Sequence, residues 1–273
     1  MSDTEPSDNL PVAHLGPLTA AGASTWEAIA QLATLVPMDR WAIVGGQMVA
    51  IHAALAGVEP PRVTDDGDVV VDVRVFGRQA MRDVASALTS IDFKSSESPE
   101  GVTRFERGHA KIDLLAPDGI GANAETIPPG YAIQAPGTTQ ALDRTVHVVV
   151  DWGNGQVTVR CPSLLGAIIA KAAGSKEIVA ITLDERLKHQ RDLVFLLSLA
   201  ANQPVDDLEA MSGEMSKKDR KRLWAATTPI FDDLTHRARL TVPNIDDVVE
   251  VASMLLGQPA GTVIADVDRT RGA

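Results

Sequence analysis

"RVTDDGDVVVDV", residues 62–73, sets three aspartates within four positions directly before a row of valines. From Asp68 onward the stretch alternates, with Val69, Val71, Val73 and Val75 on one side and Asp68, Val70, Asp72 and Arg74 on the other, which predicts a strand over 68–75 with one core face and one polar, open face. Asp66 and Asp68 then project to the same side of an extended chain, about 6–7 Å apart. Unpaired, two carboxylates so placed raise each other's pKa. A divalent cation reverses the sign of that interaction, and Mg²⁺ in particular takes one or two carboxylates together with substrate phosphates. Asp65 leaves the register open by one residue. The pair Asp66/Asp68 is preferred because it alone continues the polar face of the strand.

Two further stretches complete the pattern. In "KIDLL", residues 111–115, Asp113 alternates against Ile112 and Leu114 and is expected on the polar face of a neighbouring strand. Three carboxylates of this kind are able to hold two metal ions about 3.5–4 Å apart, the arrangement used in phosphoryl transfer. In "WAIVGGQM", residues 41–48, a short buried strand meets Gly45-Gly46 and then a helix, so backbone N–H groups at the helix start face an anion such as a phosphate. A tight strand-to-helix turn is the plainer account of those glycines, as a capped turn is of Asp66 and Asp68.

The series Val44-Gly45-Gly46-Gln47, Arg62-x-Thr64-x-Asp66-x-Asp68 and then Ile112-Asp113-Leu114 resembles the nucleotidyltransferase superfamily with the DNA polymerase β-like catalytic fold. Its Arg-x-Thr-x-Asp-x-Asp spelling is similar to the AbiEii-like (MenT-type) toxins of bacterial toxin–antitoxin pairs. The resemblance continues into "PSLLGAIIAKAAG" with Lys171 and "RLKHQRDLVFLL" with Arg191-Asp192, and so covers roughly residues 40–200. It implies a catalytic site of Asp66, Asp68 and Asp113 holding Mg²⁺ (or Mn²⁺), and a nucleotide site of Gly45, Gly46, Thr64, Lys171 and Asp192. It implies an NTP as donor, RNA (in particular the tRNA 3′ end) as acceptor, and a cognate antitoxin protein as partner. Two departures stand out: Gly46 replaces a common serine, and Gly67 lies between the aspartates where an apolar residue is usual. Transfer onto a protein hydroxyl, or a catalytically inactive binding module, are the alternatives. Lys171 is read either as a triphosphate contact or as a lysine snorkelling to water, and Asp192 either as a site residue or as a surface ion-pair member.

The rest of the sequence sets bounds. The 273 residues carry a net charge of −11, which argues against broad nonspecific nucleic-acid binding. Two basic runs, 186–191 and 217–222, are either solvated helix faces or a groove for a polyanion. A single cysteine, Cys161, excludes an internal disulfide and is expected to be a buried strand-end thiol. His52, His109 and His147 have no metal-ligand spacing and are expected to be structural, and the four tryptophans are too scattered for a stacking platform. No apolar run approaches the roughly 18 residues that span a bilayer, and the acidic N-terminus resembles no signal or transit peptide, so no membrane association and a cytoplasmic location are expected.

The pattern predicts an α+β chain. A flexible N-terminus (1–22) precedes a catalytic domain (23–161) built as a polymerase β-like mixed sheet with helices on one face. An all-α bundle (162–258) and a tail (259–273) follow. Helices are expected near 24–35 with Ser24 as N-cap, and at 47–55, 78–90, 163–173, 184–201, 205–212, 217–239 and 245–256. Strands are expected at 41–44, 68–75, 102–107, 111–116, 145–151 and 156–161, with a long loop over 117–140.

Overall fold

The computed structural model describes residues 10–97, 103–120, 125–126, 130–131, 133–178, 182–232, 240 and 244–258. Residues 1–9 of the N-terminus expected to be flexible, the tail, parts of the 117–140 loop and the far end of the helix expected at 217–239 lie outside them, whereas residues 10–22 of that N-terminus carry a strand and the start of a helix. The fold is α+β, and no described helix is long and apolar enough to cross a membrane.

Strand β1 (Val12–His14) leads to helix α1 (Ala20–Leu35). Thr19, not Ser24, caps α1. Its hydroxyl accepts from the Gly22 N–H at 3.0 Å, satisfying one of the four donors a helix start leaves open, whereas Ser24 bonds back to the Ala20 carbonyl. Strand β2 (Trp41–Val44), buried throughout, runs directly into helix α2 (Gly45–Leu55). Strand β3 (Gly67–Val71) stops four residues short of the expected end, and helix α3 (Val73–Ser90) begins. The reason is Asp72: Arg74 grips both its oxygens at 2.9 Å, and Arg160 lies 3.8 Å away, so the charge is met by a turn in the chain instead of by solvent beside a strand. A positive φ at Gly77 kinks α3.

Strands β4 (Lys94–Glu97), β5 (Thr103–Arg107) and β6 (Ala110–Pro117) follow, then short β7 (Glu125–Thr126), β8 (Gly130–Tyr131) and β9 (Ile133–Ala135), and helix α4 (Thr138–Asp143). The region expected to be a loop thus contains regular structure. Strands β10 (Thr145–Asp151) and β11 (Gln156–Pro162) form the hairpin that the Asn154-Gly155 pair predicts. Beyond it the described elements are helices: α5 (Leu164–Glu177), α6 (Leu183–Ala200), α7 (Val205–Glu214), α8 (Lys217–Asp232) and α9 (Ile245–Leu255). A capping box of Thr182 and Glu185 starts α6.

The main sheet runs in the order β2-β3-β6-β5-β4, with β9 joining β6 on the β5 side, past the start of β5. The β3–β6 pairing is parallel and the β2–β3 and β5–β6 pairings are antiparallel. A second sheet, β1-β10-β11, lies apart in pairing. On one face of the main sheet Ile43, Val69, Val71, Ile112 and Leu114 join α1 and α3 in a core that continues into the C-terminal helices. The other face is not open as the alternation led one to expect. Ala42, Val44 and Val70 are buried there against Leu142 of α4, with Leu115 beside them, so both faces carry helix. On that second face Asp68 and Asp113 stand at the end before Val70 and Leu115.

Candidate active site

Strand register builds the site. Val44, Asp68, Asp113 and Arg104 are successive Cα partners across β2, β3, β6 and β5, which brings Asp68, Asp113 and Arg104 side by side. Asp66 stands just before β3, two residues from Asp68. Arg104 donates to both oxygens of Asp113 at 2.8 Å and reaches Asp66 at 3.5 Å. Among the described residues Asp68 has no such partner; it accepts the Gly46 N–H. Burial first, and then the nearby charges of Asp113 and Asp66, push its pKa up to about 6 against the opposing pull of Lys171 and that N–H.

The two glycines are required by contact. A Cβ on Gly45, which also has φ +65°, would sit 1.6 Å from an Asp68 carboxylate oxygen, and one on Gly46 would sit 2.4 Å from the Thr64 hydroxyl. The start of α2 is therefore pressed onto the aspartate strand and the loop before it. Gln47, buried, fixes that loop: its amide donates to the Thr64 carbonyl at 3.0 Å and accepts from the Trp26 indole at 2.9 Å. Asp65 turns away from the row to the Thr19 hydroxyl.

Lys171 of α5 and Asp192 of α6 meet at 2.7 Å, and Arg62 of the aspartate loop binds the same carboxylate at 3.0 and 3.1 Å. Burial alone would raise the Asp192 carboxyl; the two cations outweigh it and hold it below the usual range. Lys171 is thus neither snorkelling nor alone, and Asp192 is not a surface residue. His189 lies in the same group, its pKa lowered to about 4 by burial and by the charges of Lys171 and Arg62 against that of Asp192.

The residues expected from sequence are accordingly brought into one neighbourhood: Gly45, Gly46, Thr64, Asp66, Asp68 and Asp113, bordered by Lys171 and Asp192. Arg104, Gln47 and His189 had not been singled out. As they stand, no three carboxylate, imidazole or thiol groups among the described residues converge closely enough to hold a metal ion. The donor chemistry nevertheless fits one. Asp68 and Asp113 are neighbours in the strand row with Asp66 just before it, all hard-oxygen donors, and Asp68, which has no hydrogen-bonded cation among the described residues, has its pKa raised.

A cavity of about 480 Å³ adjoins the same loop through Val63, Thr64 and Asp65, walled by Ala50 and Ala54 of α2 and by Glu59, but Asp66, Asp68 and Asp113 are not part of it.

The basic runs are largely spent inside the molecule. Arg222, buried, binds Glu177 and Asp118; Arg220 donates to the carbonyls of Leu255 and Ser212; Lys218 meets Asp118 at 3.3 Å; and buried Asp219 takes Arg144. In the earlier run, Arg186 donates to the Ser175 carbonyl. A continuous polyanion groove along these helices is not what the structure shows; Lys188, Lys217 and Lys221 are the exposed lysines left in the two runs. Of the tryptophans, Trp26 and Trp152 do stack, with centroids 6.5 Å apart, but Trp26 is wholly buried.

No family model matches the sequence, and no curated protein matches it. Among solved structures, ANT(2″)-Ia in complex with adenylyl-2″-tobramycin is 14% identical, with 73% of this chain and 98% of that chain covered at a TM-score of 0.40. The solution structure of the antibiotic-resistance factor ANT(2″)-Ia is also 14% identical, with 75% and 95% covered at a TM-score of 0.40.

Proposed function

We propose that this protein is a metal-dependent nucleotidyltransferase of the polymerase β-like superfamily, moving a nucleotide from an NTP to an acceptor and releasing pyrophosphate. The observation that carries the reading is the strand row: Asp68 and Asp113 are register partners on parallel strands, with Asp66 one alternation away and a glycine-started helix packed onto Asp68. Residues 23–161 would form the catalytic part and 162–258 the helical part.

Asp66, Asp68 and Asp113 would hold Mg²⁺ (or Mn²⁺), which when bound offsets charge on phosphate and favours deprotonation of the attacking hydroxyl. Gly45 and Gly46 let the start of α2 close onto Asp68 and Thr64, and the triphosphate would lie against that helix start. Lys171 and Arg62 together bring two positive charges to one carboxylate, so one is left to face phosphate, and Asp192 fixes where both stand. The chain positions its reactants and stabilises charge, without a covalent intermediate.

For the acceptor we retain RNA, with the tRNA 3′ end as the first candidate, in the setting of a toxin controlled by an antitoxin protein in the cytoplasm. This part is supported by the sequence resemblance alone, and exposed Lys188, Lys217 and Lys221 are the residues that would meet a phosphate backbone. The test is incubation of the protein and its Asp68→Asn variant with Mg²⁺ and α-labelled NTPs, in the presence of total RNA or of cell protein. Label on RNA, lost in the variant, supports the reading. Label on protein selects the alternative acceptor, and absence of label from both, with no nucleotide-dependent metal binding, dismisses the enzyme.

A further inference from the structure

Resting on that reading, we infer that Arg104 gates the metal site: it neutralises Asp113 and Asp66 in the nucleotide-free protein and passes to the incoming phosphates, so metal enters only with nucleotide.

Arg104 is held to this position by pairing. The β5–β6 hairpin closes at Arg107 and Ala110, and the same antiparallel register sets Arg104 opposite Asp113. Both Asp113 oxygens accept from it at 2.8 Å, in the two-pronged geometry that only a guanidinium offers a carboxylate. Its reach to Asp66, at 3.5 Å, joins two of the three carboxylates into one cluster. The Arg104 side chain is 21% exposed against 10% for Asp113, so the guanidinium stands on the solvent side of the carboxylate it covers. A cation approaching Asp113 from solvent therefore meets Arg104 first, although Asp66, 43% exposed, stays open to it.

The other positive charges nearby are committed. Lys171 and Arg62 share Asp192, and among the described residues Arg104 is the cation seen to contact Asp113 and Asp66. A divalent cation that takes Asp113 must displace a bidentate ion pair, and the displaced guanidinium, only 21% exposed, needs an anion. The phosphates of an NTP supply it, in a form that suits the same fork. Metal and nucleotide then favour each other through one side chain, a coupling that is by necessity reciprocal.

The experiment is calorimetric titration of Mn²⁺ into the full-length protein, without nucleotide and with a non-hydrolysable NTP, corrected for Mn²⁺ bound by the free nucleotide. Wild type, Arg104→Ala and Arg104→Lys are compared, with circular dichroism confirming the fold. The expected result is that Arg104→Ala binds Mn²⁺ alone roughly tenfold more tightly than wild type and the Mn²⁺–nucleotide complex roughly tenfold more weakly, about 1.4 kcal/mol each way. Arg104→Lys, which keeps the charge without the fork, falls between. If the alanine variant fails to fold, the lysine variant and wild type decide, since the gate requires inorganic tripolyphosphate alone to strengthen Mn²⁺ binding by wild type and to do so less in Arg104→Lys. Arg104→Ala binding Mn²⁺ no more tightly than wild type, while nucleotide still tightens the metal, overturns the gate and leaves the proposed function standing. No Mn²⁺ binding by any form with nucleotide present overturns both.

Discussion

Lys171 Nζ and Asp192 Oδ2 are 2.7 Å apart with side chains 4% and 1% exposed, and Arg62 closes on the same carboxylate from the aspartate loop. One buried anion thus ties helix α5, helix α6 and the loop carrying Asp66 into a single charged cluster. Asp68 feels the Lys171 charge from its own strand, so this cluster and the strand row form one electrostatic unit.

Asp192→Asn is expected to be the most destabilising single change in the site. It leaves Lys171 charged and buried without its hydrogen-bonded carboxylate, a situation that typically costs about 3–5 kcal/mol. Lys171→Met should cost less, because Asp192 keeps Arg62. Chemical denaturation of both variants checks the order, and equal stabilities would show that the pair is not what holds the cluster. Both should lose nucleotide affinity, Lys171→Met by removing a charge and Asp192→Asn by releasing it from its place.

Asp68→Asn should do the reverse for stability. The folded protein disfavours its charge at neutral pH, as the value of about 6 records, so neutralising it in metal-free protein should raise stability on the order of 1–3 kcal/mol. The same change should abolish nucleotide-dependent metal binding. A melting temperature well below wild type would make Asp68 a structural residue and remove it from the proposed chemistry.

Much of this was legible in the sequence, and the reason is register. Alternation fixed the side of each strand aspartate, and the glycines before α2 announced a close approach that proves to be with Asp68 and Thr64. What alternation does not tell is which strand lies next to which. Arg104 was missed for that reason, although the Gly108-His109 turn between "TRFER" and "AKIDLL" is a hairpin signal, and counting back from it sets Arg104 opposite Asp113. The strand expected to reach Val75 failed at Asp72, where long-range partners Arg160 and Asp143 (the latter through Arg74) favour a turn that no local pattern reveals. The covered second face was invisible likewise, since Leu142 comes from a segment rich in glycine and proline.

Gly45→Ala offers a sharp test of the close approach. The new methyl would overlap an Asp68 oxygen, and the backbone there has a positive φ that costs a non-glycine residue on the order of 1 kcal/mol or more before any clash. The expected outcome is a folded, weakened protein that no longer binds metal with nucleotide. Retention of full nucleotide-dependent metal binding would mean that α2 does not pack on Asp68 in solution.

The basic run 217–222 separates structure from surface. Arg222, 5% exposed and bound to Glu177 and Asp118, should cost about 1–3 kcal/mol when replaced by Ala, because half-buried Asp118 is left with Lys218 as its cation while Glu177, 41% exposed, returns to water. Lys221→Ala, at an exposed position, should change stability within about 0.5 kcal/mol. It should weaken any RNA binding in a salt-dependent way. Thermal melts give the first comparison, and RNA titration at two salt concentrations gives the second.

The last prediction concerns acid stability, where two groups pull in opposite directions over one pH window. His52 is buried on α2 with its Nε2 3.0 Å from the Pro162 carbonyl, and burial lowers its pKa to about 4 despite that hydrogen bond. Between roughly pH 6.5 and 4 the unfolded chain therefore holds a proton on His52 that the folded chain lacks. Stability must fall as pH falls through that range, by up to about 3 kcal/mol from this group. His189 contributes in the same direction. Asp68 does the opposite: between about pH 6 and 3.8 the folded chain holds a proton on it that the unfolded chain lacks, so acidification relieves its penalty. Wild type should consequently lose less stability from pH 7 to 4.5 than His52 and His189 by themselves would remove. Asp68→Asn removes the compensating group and should lose it more steeply. His52→Gln, whose amide is able to donate to the same carbonyl, should flatten the profile. Melting temperatures of the three proteins at half-unit pH steps decide it, and parallel curves would show that neither group is held in the charge state that its burial dictates.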